Sequence, residues 1–248
     1  LLRFNSSTLA DADALTSLDE YMARAAEGQK TIWYVAAPNR EAARLNPHME
    51  RFRRKGIEVL WLYEPVDEFV MDSLAKYKEW EFKSVETAAD DALNEFADKE
   101  QPKNEAAAPL SEDDSASFDA LMEKMKAILG EKVTDVRVSH RLADSPAVLV
   151  SPDGGMSSSM EKLLKVMQKD DSIPVKVLEV NRDHPLLRSM LRIFKADADD
   201  RILADMTSHL FDASLLLDGY LKDPQALAAR TGKLLEEAAA WYTEVRKI

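Results

Sequence analysis

The sequence predicts a mixed chain: a small α/β/α sandwich, then an α+β domain ending in a helical hairpin that pairs with a second copy as a four-helix-bundle dimer. Three observations carry this. Short β-branched and aromatic runs alternate with helical patterns over residues 17–85, the signature of a βαβ layer. An acidic stretch then interrupts the pattern, and two long helices with heptad spacing close the chain.

In the first region, Thr31-Ile32-Trp33-Tyr34-Val35 predicts a strand, Arg40 to Phe52 a helix interrupted at Pro47, and Ile57 to Leu62 a second strand. Phe69 to Tyr77 predicts another helix, and Phe82 to Val85 a third strand. Between Glu86 and Asp119 there are eleven Asp or Glu against two Lys, which is -9 of the chain's net -12. Pro102, Ala106-Ala107-Ala108-Pro109 and Ser111-Glu112-Asp113-Asp114 resist burial, so residues 101–114 are expected to be an acidic linker between domains 1–100 and 115–248. For the part of the acidic stretch around Leu93 and Phe96, a helix is the other expectation.

Beyond the linker, Phe118, Leu121, Met122, Met125 and Leu129 fall at helical spacing, with Gly130 as a stop. Val133–Val138, Ala147–Val150 and Val175–Val180 predict three strands, and helices dominate from Pro185 onward. Leu203, Met206, Leu210, Ala213, Leu217 and Tyr220 follow an a/d rhythm. Asp223-Pro224 restarts the helix with a carboxylate cap and a proline in the first turn. Leu227, Thr231, Leu234, Ala238, Trp241 and Val245 continue the rhythm, and Leu215, Leu216 and Leu235 add apolar surface beside the seams. One two-helix contact cannot cover that much. Packing of the hairpin on its own domain is one expectation; a second copy about a two-fold axis covers the surplus, so Leu203, Met206, Leu210, Leu216, Leu217, Leu227, Leu234 and Leu235 are the candidate dimerisation residues.

Met156, Met160, Leu163, Leu164 and Met167 share one face of an amphipathic helix expected over Met156–Met167, led in by Gly154-Gly155. A soft, unbranched thioether suits an adaptable binding surface, while a Met stripe also suits a core. Both remain open on the residues alone.

Composition excludes several function classes. The 248 residues include 46% hydrophobic and 31% charged side chains, with no apolar run near the ~20 residues of a membrane span. Net acidity argues against nucleic acid as a partner. Without Cys there is no disulfide framework or thiolate chemistry, which fits a reducing, cytoplasmic setting. The start Leu1-Leu2-Arg3-Phe4-Asn5 has neither an initiator Met nor a signal pattern and is expected to be the start of a cut chain. His48, His140, His184 and His209 are too scattered for a metal site, and no metal is expected. His140, Asp144 and Ser145 look superficially like triad parts, yet no nucleophile elbow accompanies them, and turn roles are expected. No Gly-rich phosphate loop is present, so no catalytic residue is assigned.

Several stretches resemble the heat-shock protein 90 family of molecular chaperones, in its bacterial HtpG form. They are Leu1–Ser7 (LLRFNSS), Phe52–Leu60 (FRRKGIEVL), Pro65-Val66-Asp67-Glu68-Phe69, His140–Ala147 (HRLADSPA) and Asn181–Leu187 (NRDHPLL). Together they run through almost the whole chain in order. The resemblance implies an ATP-driven chaperone that assists protein folding, with ATP and Mg bound upstream of Leu1 and no cofactor in these residues. It implies the end of a middle domain up to about residue 100 and a dimerisation domain from about 115. It further implies that Phe69 and the face Met156, Met160, Leu163, Leu164 and Met167 hold non-native client protein in the dimer cleft. Phe69 stands where some relatives carry Trp. The chain ends Val245-Arg246-Lys247-Ile248, without the acidic C-terminal peptide of eukaryotic cytosolic members, which implies a bacterial or organellar type. The competing expectations are a small-ligand-binding α/β enzyme domain with a dimerisation tail, built on the 31–62 unit, and a dimerisation module with no client surface.

Overall fold

The computed structural model describes residues 2–89, 91–99, 110–152 and 155–247. The chain forms two compact units, the first from described residues within Leu1–Ala106, His140–Ser145 and Val150–Pro174, the second from those within Ala107–Ser139, Pro146–Leu149 and Val175–Ile248.

The first unit runs β1 (Asn5–Ser6), α1 (Leu18–Arg24), β2 (Thr31–Ala36), α2 (Arg40–Leu45), a 3₁₀ turn at Pro47–Met49, α3 (Glu50–Lys55), β3 (Leu60–Leu62), α4 (Pro65–Leu74), β4 (Lys76–Tyr77) and β5 (Trp80–Ser84). Its sheet has the order β1-β3-β2-β5-β4. The central strand β2 is parallel to both neighbours, and the two short edge strands are antiparallel. Alternation along β2 divides the core between two faces. Trp33 and Val35 pack with Ala43, Phe52 and Trp61 on one side, while Ile32 and Tyr34 pack with Leu18, Tyr21 and Met71 on the other. A β-branched and aromatic strand buried on both faces is what a layered α/β arrangement requires.

Local chemistry moves several boundaries from their expected places. Only Leu60–Leu62 of the run 57–62 is ladder strand. Val59 instead exchanges bonds with Ser7, its amide donating to the Ser7 hydroxyl at 3.0 Å and its carbonyl accepting from the Ser7 amide at 2.9 Å. Helix α4 starts at Pro65 rather than Phe69 and ends at Leu74, because proline suits the first turn and Asp67 and Glu68 face its positive end. Lys76 and Tyr77, expected to be helical, form β4. Around Leu93 and Phe96 the chain makes turns rather than a helix, with Leu93 fully buried and the Phe96 carbonyl held by Lys55. Most of the linker expected over 101–114 lies outside the described residues.

The second unit opens with α5 (Glu112–Leu129), capped by Ser111, whose hydroxyl accepts from the Asp114 amide at 3.1 Å. Glu112, Asp113 and Asp114 therefore sit in a helical first turn, where the macrodipole favours them. Phe118, Leu121, Met125 and Leu129 are buried, and Gly130 ends the helix at φ 57°. Strands β6 (Val133–Val138), β7 (Ala147–Val150) and β8 (Lys176–Val180) form a sheet of order β6-β8-β7, with β6 and β8 parallel. The helix between β7 and β8, α6 (Ser158–Gln168), belongs to the first unit. Helices α7 (Pro185–Ala196), α8 (Arg201–Leu217) and α9 (Pro224–Arg246) complete the second. Asp223 caps α9, accepting from the Ala226 amide at 2.9 Å.

Candidate functional site

The amphipathic helix begins later than its apolar spacing suggests. Ser157 is its N-cap, accepting from the Met160 amide at 3.2 Å, so Met156 precedes the helix. Serine favours the cap because its hydroxyl replaces a missing backbone acceptor, and three consecutive serines outweigh the one-face pattern that included Met156. Of the expected Gly154-Gly155 lead-in, Gly154 lies outside the described residues. At Gly155 an added Cβ would lie 2.5 Å from that of Ser151, so the close turn needs glycine.

The start of α6 is held by two carboxylates from its own unit. The Ser157 hydroxyl donates to Glu68 of α4 at 2.5 Å, and the Ser158 amide donates to Glu86 at 2.6 Å. Glu68 is buried, and its second oxygen has no hydrogen-bond partner among the described residues. Burial, reinforced by Glu86 and Asp72, pushes its carboxyl up to about 7, against the lowering pull of Ser157 and Lys162. The other end is closed by Lys169 at φ 55°, while Lys165 donates to Asp170 at 2.8 Å and to Ser172 at 2.6 Å.

This anchoring splits the apolar stripe. Met160 is 5% exposed and buried, Leu163 and Leu164 are half-buried, and Val166 and Met167 are 74% and 70% exposed. Met156 is 51% exposed on the segment leading in, and Phe69 is half-buried on α4. The expected surface residues are thus brought to one region of the first unit, where α4 meets α6, without all facing solvent. Val166 is exposed beside Met167 although it falls outside the spacing used to choose the face.

The closing hairpin divides similarly. Three cross-helix ion pairs, Arg201–Glu237, Lys233–Asp205 and Arg230–Asp212, set α8 antiparallel to α9. Leu203 and Leu210 are buried within their own unit, alongside Thr207, Phe211, Ser214 and Leu215. Met206, Leu227 and Leu234 are half-buried. Leu216, Leu217 and Leu235 are exposed, as are Trp241, Tyr242 and Val245. None of the side chains of the 23-residue helix α9 is buried. His209 lies on the same hairpin, its pKa lowered by burial and by Arg230 against the opposing pull of Asp212.

Two of the three residues with triad-like spacing, Asp144 and Ser145, are bound to Glu50. The amides of Ala143, Asp144 and Ser145 donate to the buried carboxylate of Glu50 at 2.6, 2.8 and 3.0 Å, and the Ser145 hydroxyl adds a bond at 2.5 Å. His184 caps α7, its Nδ1 accepting from the Leu186 amide at 3.1 Å. Among the described residues there is no group of three or more His, Cys, Asp or Glu that could hold a metal, and no helix long and apolar enough to cross a membrane. Sequence patterning missed Glu50, Glu68 and Glu86, because their partners lie 72 to 95 residues away.

A family model described as "Hsp90 protein" matches residues 1–247. The "Chaperone protein HtpG" of Oleidesulfovibrio alaskensis is 60% identical over 248 residues, which is 100% of this chain and 39% of that protein. The protein of the same description from Nitratidesulfovibrio vulgaris is 56% identical over 99% of this chain and 38% of its own length. That from Yersinia pestis is 38% identical over 95% and 36%. The chain therefore spans under two-fifths of the length of these curated relatives. Nothing in the comparisons supports a small-ligand enzyme domain.

Proposed function

Because the chain belongs to the Hsp90 protein family, we propose that these residues bind non-native client protein and join two copies of the chain within an ATP-dependent, cytoplasmic folding chaperone. The observation that carries the reading is the solvated end of α6, where Met167 of the apolar face and the neighbouring Val166 are exposed, continued by Met156 ahead of the helix. Large apolar side chains held in water on a well-formed helix mark an interaction surface, and unbranched methionine adapts to many partners. Phe69, Leu163 and Leu164 form the half-buried floor of that surface. Met160, on the same helix, is buried.

The second part is the homodimer. Leu216, Leu217 and Leu235 with Trp241, Tyr242 and Val245 present apolar area that a two-fold copy would cover as a four-helix bundle. In this assignment residues up to about 100 are the end of the middle domain and residues from about 115 are the dimerisation domain. ATP and Mg chemistry is assigned outside the 248 residues.

The test is suppression of the thermal aggregation of a model client by the chain and its variants. Met167→Ser with Val166→Ser is expected to weaken suppression at unchanged melting temperature and oligomeric state. Met160→Ser is expected to lower stability by about 2 kcal/mol or more, since it removes a buried apolar side chain. If the double variant suppresses aggregation as well as the parent chain, the face is not a client surface.

A further inference from the structure

Helix α6 is held at its start by carboxylates of its own unit and is exposed in its last turns. Its first amide, from Ser158, is one of the four that an α-helix cannot satisfy internally, and Glu86 accepts it at 2.6 Å. The backbone at Glu86 is held on the sheet. It follows β5, which pairs with the central strand β2; the Val85 amide donates to the Tyr34 carbonyl at 2.9 Å, and the Glu86 amide donates to the Ser84 hydroxyl at 3.3 Å. The negative carboxylate also faces the positive end of the helix. From that point Ser158 and Met160 are buried, whereas the last turns carry Val166 and Met167 into solvent.

We propose that Glu86 is the positioning residue of this surface, fixing the start of α6 to the sheet so that its exposed apolar end is presented preorganised to a client. This rests on the client reading above and adds the element that sets the surface's geometry. Glu68 holds the cap residue Ser157 from α4, and Glu86 ties the helix backbone to the segment that follows β5. Without Glu86 the first turn of α6 loses its backbone bond to that segment, and more of the ordering of the helix falls to the binding event.

The experiment compares the whole chain with Glu86→Ala and Glu86→Gln by amide hydrogen exchange at Ser158 and by suppression of client aggregation. Loss of a charge-assisted bond predicts exchange about tenfold faster or more in the alanine variant, with glutamine intermediate because it keeps an acceptor oxygen. The chain concentration for half-maximal suppression should rise about three- to tenfold in the same order, at a melting temperature near the parent's. The glutamine variant, which keeps the side-chain volume, carries the test if alanine fails to fold. Unchanged exchange at Ser158 overturns the proposal. So does faster exchange with unchanged suppression, provided Val166→Ser with Met167→Ser weakens suppression. If that double variant is also without effect, the client reading fails, and the positioning role falls with it even where exchange shows the anchor.

Discussion

Replacing Glu68 by glutamine should change how the chain's stability depends on pH. The carboxyl titrates at 4.5 ordinarily and is pushed up to about 7 in the folded chain, chiefly by burial. The folded state thus holds the proton more tightly than the unfolded one. Stability from this group is fully present below pH 4.5 and is lost as pH rises through 7. At ~1.4 kcal/mol per pH unit, the ionised group costs the folded chain about 3 kcal/mol by pH 8 and under ~1 kcal/mol at pH 5, a change of about 2.5 kcal/mol. Glu68→Gln cannot ionise and keeps an oxygen for the Ser157 hydroxyl. Its amide nitrogen takes the place of an oxygen without a partner among the described residues, a roughly constant cost of about 1 kcal/mol. Denaturant unfolding at pH 5, 6, 7 and 8 measures the difference between variant and parent. It should move in the variant's favour by about 2.5 kcal/mol between pH 5 and 8. Parallel pH profiles would show that Glu68 titrates normally and would refute the reasoning.

Other perturbations follow from the same contacts. Leu217→Glu with Leu235→Glu, both exposed, should give particles near 27.9 kDa by light scattering with an unchanged helical signal, whereas Leu210→Glu should unfold the second unit by burying an uncompensated charge. An unchanged dimer in the first variant would remove the hairpin from the interface. Glu50→Ala leaves three backbone amides and the Ser145 hydroxyl without their carboxylate and should cost about 3 kcal/mol or more in denaturant unfolding. Gly155→Ala should destabilise the approach to α6 by about 1–3 kcal/mol, seen as faster exchange at the start of that helix, because its Cβ meets Ser151 at 2.5 Å.

Much of the fold was legible where one local signal decides the outcome. The run Thr31–Val35 alternates large side chains to two faces, and both are buried. Asp223-Pro224 marks the start of α9, and Gly130 the end of α5. Helical periodicity also located the Met-rich helix and the closing hairpin. It could not say which residues of a stripe are covered by the chain itself. Leu203 and Leu217 occupy equivalent positions in the rhythm, yet one is buried and the other exposed. Likewise Met160 and Met167 lie seven residues apart on one face, and one is buried while the other is exposed. Anchors such as Glu68–Ser157 and Glu50–Ser145 leave no local trace, because the donor and acceptor are joined only by the fold.

The most direct test of the client surface is a photo-crosslinker placed at position 167 of the chain in the presence of a heat-destabilised client. Covalent capture of the client from position 167, with little from an exposed control position such as Ser189 on α7, is the result the account predicts. Equal yields from the two positions, or none from 167, would contradict it.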